Sequence, residues 1–316
     1  MFKEKVVSIV VPAHNEQKLI QKVLQSIPHW VDHIFVIDDF SPDATSEKVR
    51  ERMETDSRIT LIRHEENLGV GAAICSGYKA SLENQVDIAV VMAGDAQMDP
   101  ADLEKLILPV AEEGVDYAKG NRLFQGKAWE IIPRHRYIGN SILSLLTKIA
   151  SGYWHVADTQ CGYTAISRKA LAAVELDKVY PRYGMPNDLL VKLNVAECTV
   201  RDVPVRPVYN IGEVSGIRIS RVVITISRLL LTCFFNRLVE KYVIRDFHPL
   251  VFFYTLGLIA FPAGFITGVY LFLYRIFSGP VSTTSALFSA FLIISGLQFL
   301  LFAMWFDMEN NKNLKG

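Results

Sequence analysis

Residues 6–16 read VVSIVVPAHNE: a run dominated by β-branched residues, a proline that closes it, then three polar side chains, His14, Asn15 and Glu16. A strand with one wet face would alternate apolar and polar. The continuous run Val6–Val11 therefore predicts a strand buried on both faces. The pattern returns at His33–Ile37, which ends in Asp38-Asp39, at Ile59–Ile62, and at Ile88–Met92, which ends in Ala93-Gly94-Asp95. Tyr117–Lys119, before Gly120, is a candidate fifth strand. Amphipathic stretches lie between them at Glu16–Ile27, Asp43–Glu54, Gly71–Glu83 and Pro100–Glu113. Strands alternating with helices predict an α/β domain around a mostly parallel sheet covered on both faces. In such sheets the ligand sits beyond the carboxyl ends of the strands. Here those ends carry His14-Asn15-Glu16, Asp38-Asp39 and Asp95-Ala96-Gln97.

The remainder of the chain reads differently. PLVFFYTLGLIAFPAGFITGVYLFLY (249–274) and VSTTSALFSAFLIISGLQFLLFAMWF (281–306) contain no charged residue. Each is longer than the roughly 20 residues a helix needs to cross a bilayer. Two such runs joined by a short connector predict a transmembrane hairpin, and they account for a mean hydropathy of +0.23. Lys241 and Arg245 precede the first run and Lys312 and Lys315 follow the second, whereas the connector carries only Arg275. That bias predicts a multi-pass integral membrane protein with its catalytic domain and both termini in the cytoplasm. The apolar run at the start is too short for a signal peptide. Between the two regions, Val222, Val223, Ile226, Leu229, Leu230 and Cys233 recur at helical spacing among Arg221, Arg228 and Arg237. This helix would lie in the headgroup plane, pack on the catalytic domain, or do both. Ile138–Ala150 is a second amphipathic candidate. The expected organisation is a catalytic domain over 1–216, a juxtamembrane region over 217–247, two spans within 248–307 and a tail over 308–316.

Lys+Arg and Asp+Glu balance at 33 each, so no basic field argues for nucleic acid. Four scattered cysteines form no CxxC pair and read as reduced residues. Neither GxGxxG nor a Walker A run is present, which disfavours the usual dinucleotide and P-loop readings. Asp38-Asp39 and Asp95 suit turns and helix caps. They equally suit a nucleotide-sugar site, in which Asp95 and the amide oxygen of Gln97 hold a hard divalent cation against the diphosphate.

VPAHNE, VIDDFSPDAT, NLGVGAAICSGY, MAGDAQMDP, GNRL and DTQCGYTAISRKAL occur in that order. Together they resemble the family-2 glycosyltransferases of GT-A fold, and within them the dolichol-phosphate mannosyltransferase-like branch that glycosylates polyprenyl phosphates. The resemblance covers about residues 5–245. It implies a donor site containing Pro12, Ala13, His14, Glu16, Asp39, Asp95, Ala96, Gln97 and Arg122, with Arg206 or Arg218 replacing a basic residue that has no aligned counterpart in YNIGEVSGIR. It implies a Mg²⁺ or Mn²⁺ ion on Asp95 and Gln97, although Ala93 stands where the family's metal motif has its first aspartate. It further implies an acceptor-phosphate site at Arg134, Arg136 and Asn140, and catalytic roles for Asp95, Arg122 and Asp188. Asp158 opens a segment that is commonly Asp-x-x-Ser-Gly-Phe. No Gln-x-x-Arg-Trp follows, which counts against a processive polysaccharide synthase.

The expected reaction is inverting hexose transfer from a GDP- or UDP-hexose to a polyprenyl phosphate. Rival expectations are transfer to another lipid or a glycan hydroxyl, with Asp188 as base, and a donor-binding scaffold that has lost catalysis. Gly257, Gly264 and Gly268 would let spans pack closely, leaving a homo-oligomer open.

Overall fold

The computed structural model describes residues 1–124, 134–208 and 219–316, with backbone alone at 134–138 and 219–223. Seven strands form one sheet: β1 (Val7–Ala13), β2 (His33–Asp38), β3 (Ile59–Arg63), β4 (Ile88–Val91), β5 (Tyr117–Asn121), β6 (Thr164–Ser167) and β7 (Val200–Pro204). Their order is β3-β2-β1-β4-β6-β5-β7. Only β6 runs against its neighbours, and the other pairs are parallel. Helices α1 (Ile20–Ser26), α2 (Thr45–Met53), α3 (Val70–Glu83) and α4 (Leu103–Glu112) alternate with the strands, followed by α5 (Arg134–Ser151), α6 (Arg168–Ala173), α7 (Met185–Val195) and α8 (Ile219–Val239).

Every residue of β1 is buried, as its mostly apolar run requires, and its one polar side chain, Ser8, meets Ser81 Oγ of α3 at 2.8 Å. Ile9 and Val11 enter one core with Ile20, Leu24 and Leu106, while Val10 enters the other with Tyr78 and Leu190. Alternate side chains of one strand thus feed both layers, each fully buried Val or Ile contributing roughly 1.5–3 kcal/mol. Gly77 of α3 allows the helix to lie on β1, since a Cβ there would sit 2.2 Å from Val10 Cγ1.

The five strands expected from the sequence are present; β6 and β7 were not anticipated. β6 has only four residues, and β7 carries Arg201 and Asp202 because it lies at the edge of the sheet.

The chain divides into two compact units, Met1–Phe234 with Asn313–Gly316, and Phe235–Lys312. In the first, Gly316 N donates to Val200 O (3.1 Å) and Lys315 bridges Val200 in parallel, so the last two residues touch the outer edge of β7 at one point. The first part of α8 buries Ile226, Leu230 and Cys233 while Ile224 and Leu231 stay exposed, so packing on the domain and an outward apolar face coexist.

The second unit is built on α9 (Leu250–Phe277) and α10 (Thr283–Asn310), both long and apolar enough to cross a membrane and largely unburied. They pack through glycines: a Cβ on Gly257 would lie 2.7 Å from Leu300, on Gly264 2.7 Å from Ile293 N, and on Gly296 2.4 Å from Phe261 N. Gly257 and Gly264, considered above for oligomers, are therefore spent inside the hairpin. Gly268 likewise faces Ser289. At its polar end Arg237 makes a fully buried bidentate pair with Asp307 (2.8 and 3.0 Å), which also accepts from Tyr242 Oη (2.6 Å).

Candidate active site

The carboxyl ends of β1, β2 and β4 are adjacent because those strands are parallel neighbours. Their loops are laced together: Asp39 N donates to Ala13 O (2.9 Å) and Gly94 N to Pro12 O (3.1 Å). One non-glycine residue in each of these three loops has a left-handed backbone: Asn15 (φ 62), Phe40 (φ 58) and Ala96 (φ 59). Such conformations are costly for L-residues and gather at functional sites.

Asp38 and Asp39 divide the work. Asp38 is fully buried and structural, accepting from Ser41 N (2.9 Å) and Ser46 Oγ. Asp39 is also buried, and its carboxylate accepts from Leu68 N (2.9 Å) and Gly69 N (2.8 Å) and lies 2.8 Å from His64 Nδ1. His64 in turn meets Ser76 Oγ at 3.0 Å. Asp39 therefore fixes the loop that opens α3, where Gly69 has φ 101 and a Cβ would stand 2.6 Å from Pro181 O. His14 is exposed, its Nδ1 2.8 Å from Asp39 O and 3.3 Å from Asn67 Nδ2. Sequence reasoning missed His64 and Asn67, although NLGVG marked their segment.

Glu16 follows β1. Burial first, then the charges of Asp95 and Asp43, push its carboxyl up to about 7. Asp95 Oδ1 accepts from Gln97 N (3.0 Å), forming the turn that makes Ala96 left-handed. Glu16, Asp95 and Gln97 offer oxygen donors only, which is what a hard divalent cation takes, so the residues fit such an ion. Among the described residues no cluster of three or more His, Cys, Asp or Glu is arranged for a metal. Asp99, on the same loop, accepts from Ala101 N (2.9 Å) and pairs with Arg206 (3.1 Å). Arg206 N also donates to the buried Asp102 (2.7 Å), so this arginine sits beside the 95–99 loop.

Arg122, just after β5, is clamped by Asp158: Nε to Oδ2 2.8 Å, Nη2 to Oδ1 3.1 Å and backbone N to Oδ2 3.2 Å. Asp158 is fully buried. Burial alone would raise its pKa, but the Arg122 charge and hydrogen bonds, with Lys119, hold it below the usual carboxylate range. Lys119 is also fully buried, donating to Cys161 O (2.5 Å), and desolvation lowers its pKa. Asp202 of β7 accepts from Ala157 N (2.6 Å) and Asn121 Nδ2 (2.9 Å), bracketing the Arg122–Asp158 pair; burial pushes it up to about 6. The clamp was invisible in the sequence because its partners are 36 residues apart.

Asp188 does not join this group of contacts. It accepts from Lys192 Nζ (2.7 and 2.8 Å), Tyr180 N (2.8 Å) and Cys233 Sγ (3.4 Å), and is buried among them. Asn140 is half-buried on α5. The side chains of Arg134 and Arg136, and all of Arg218, lie outside the described residues.

Residues 8–174 match the model of the family described as Glycosyl transferase family 2. The chain belongs to that family. Among the relatives of this family-2 glycosyltransferase is a UDP-N-acetylglucosamine–dolichyl-phosphate N-acetylglucosaminyltransferase of Methanococcus voltae, 30% identical over 65% of this chain and 87% of that protein. An undecaprenyl-phosphate mannosyltransferase of Micrococcus luteus is 26% identical over 69% and 91%. Glucosyl-3-phosphoglycerate synthase of Mycobacterium tuberculosis, solved with Mn²⁺, UDP and glucosyl-3-phosphoglycerate, superposes with a TM-score of 0.53 at 22% identity, covering 74% of this chain and 80% of that one. The fold of the glycosyltransferase domain is thus GT-A.

Proposed function

We propose that this glycosyltransferase moves a hexose from a nucleotide-sugar to a polyprenyl phosphate at the cytosolic face of a membrane, with inversion. One observation carries the reading: an oxygen-lined sheet edge, with Arg122 clamped in the same domain, is followed in the same chain by a two-helix apolar hairpin. The activities named for the Methanococcus and Micrococcus relatives support this acceptor class.

In the proposed step a phosphate oxygen of the acceptor forms a bond to the anomeric carbon. The bond from that carbon to the diphosphate breaks, and the nucleoside diphosphate leaves with the electron pair. An acceptor phosphate is ionised at neutral pH, so no general base is needed. The engagement of Asp188 by Lys192 and two further donors agrees with that economy, and tells against the reading in which Asp188 deprotonates a hydroxyl. Asp95 and Gln97 would hold Mg²⁺ or Mn²⁺, whose charge offsets that building on the leaving group. Arg122, held by Asp158 at a fixed angle, would direct its charge at the diphosphate, a task suited to a planar, forked cation. Arg134 and Arg136 would meet the acceptor phosphate.

The test uses purified full-length protein, radiolabelled GDP- and UDP-hexoses, a polyprenyl phosphate and Mg²⁺ or Mn²⁺. A labelled, mild-acid-labile glycolipid is expected, lost in Asp95→Asn and in Arg136→Ala, with membrane association intact. Label appearing only on a hydroxyl acceptor, or full activity in both variants, would overturn the assignment.

A further inference from the structure

Along α10 the buried positions Ser289, Gly296 and Ala303 recur every seventh residue and mark the face turned to α9. Two residues past Gly296, about 200° around the helix, stands Gln298, exposed at the middle of α10. Its amide has no hydrogen-bond partner among the described residues. It sits in a stripe of exposed side chains, Phe291, Ile294, Gln298, Leu301, Trp305 and Met308, spaced 3, 4, 3, 4 and 3 apart. That is the spacing of a coiled-coil seam. Around Gln298 the stripe is hollowed into a groove of ≈ 430 Å³ lined by Ile294, Leu297, Leu301 and Trp305.

We propose that this stripe is a homodimer seam, with Gln298 hydrogen-bonded to Gln298 of a second copy. The inference rests on the membrane-spanning reading of the hairpin. At mid-bilayer there is no water, so an amide with two donors and an acceptor is costly unless a protein group meets it. A lipid or polyprenyl tail fills an apolar groove but offers an amide nothing. Two copies inserted with one orientation run parallel, and a two-fold axis between parallel helices sets each residue of the seam against itself. A primary amide is self-complementary, donor to acceptor in both directions. The flanking Ile294 and Leu301 then interdigitate, and a single polar residue in an apolar seam fixes register.

The full chain is reconstituted in liposomes, and association is read by subunit-mixing fluorescence transfer over a range of protein-to-lipid ratios. Gln298→Leu should raise the dissociation constant by about 3- to 30-fold, and Gln298→Asn should recover part of that loss. Leu301→Cys should cross-link under copper–phenanthroline, whereas Phe272→Cys, exposed on α9, should not. Unchanged association in Gln298→Leu, or cross-linking only through Phe272→Cys, would overturn the seam. Alkaline carbonate separates the two levels of the argument. A carbonate-resistant monomer refutes the seam alone, and release of the wild-type chain refutes the membrane reading with it.

Discussion

Replacing Asp158 by asparagine removes one charge from a largely buried cluster that also holds Arg122, Lys119 and Asp202. Asp158 is fully buried, Arg122 has 22% of its side chain exposed and Lys119 none. Removing one partner of a buried pair typically costs about 3–5 kcal/mol, because the other charge stays desolvated. The introduced carboxamide would keep one acceptor oxygen and point its NH₂ at the donors facing the other. A loss of about 3 kcal/mol corresponds to roughly a 100-fold fall in local protection. The chain has two units, so a single global melting temperature is ill-defined. The suitable assay is native-state hydrogen exchange of β5, where Tyr117 N bonds Thr199 O (3.0 Å) and Gly120 N bonds Tyr163 O (2.8 Å). Lys119→Met in the same background should recover about tenfold or more of that protection, since position 119 then no longer holds a buried cation short of an anion; such coupling is expected of contacting charges. Protection within about threefold of wild type in Asp158→Asn, or a further loss on adding Lys119→Met, would refute this account of the pocket.

Gly69→Ala should disorder the opening of α3 and weaken nucleotide binding by about tenfold or more, read by calorimetry, because φ 101 and the 2.6 Å approach to Pro181 O both exclude a side chain. Asp202 has a folded-state pKa raised from 3.8 to about 6. Its contribution to stability is full below about pH 4 and is lost as pH rises to about 6. Asp202→Asn should flatten this slope in the pH dependence of β7 exchange; an unchanged slope would assign it to other groups. Gly296→Leu should splay the hairpin, since Phe261 N lies 2.4 Å from the site of a Cβ, and protease cleavage within 275–283 of membrane-inserted protein should rise.

The sheet was readable where strands are buried on both faces, since Val7–Val11 and Ile34–Ile37 admit no polar alternation. It was unreadable at β6, where four residues are too few for a period, and at β7, where an edge position tolerates Arg201 and Asp202. The strand-end residues His14, Glu16, Asp39 and Asp95 were legible because topology alone places them together. Their partners were not: Asp39 meets Leu68, Arg122 meets Asp158, and Arg206 meets Asp99 across distances in sequence that no periodicity spans. Asp188 is instructive, because Lys192 one helical turn away was visible and would have identified an ion pair at i, i+4 spacing.

The bridge that Lys315 and Gly316 make to Val200, just after a 3-10 turn at Lys312–Leu314, sets an order of assembly. This pairing covers the border of β7 at Val200, yet these two residues leave the ribosome only after both apolar helices have been made. Until then, the growing domain has an open ladder of amides and carbonyls on that side, the kind of edge that recruits stray strands. Synthesis of the two apolar helices thus comes before that border is covered at Val200, which ties protection of this sheet edge to completion of the hairpin.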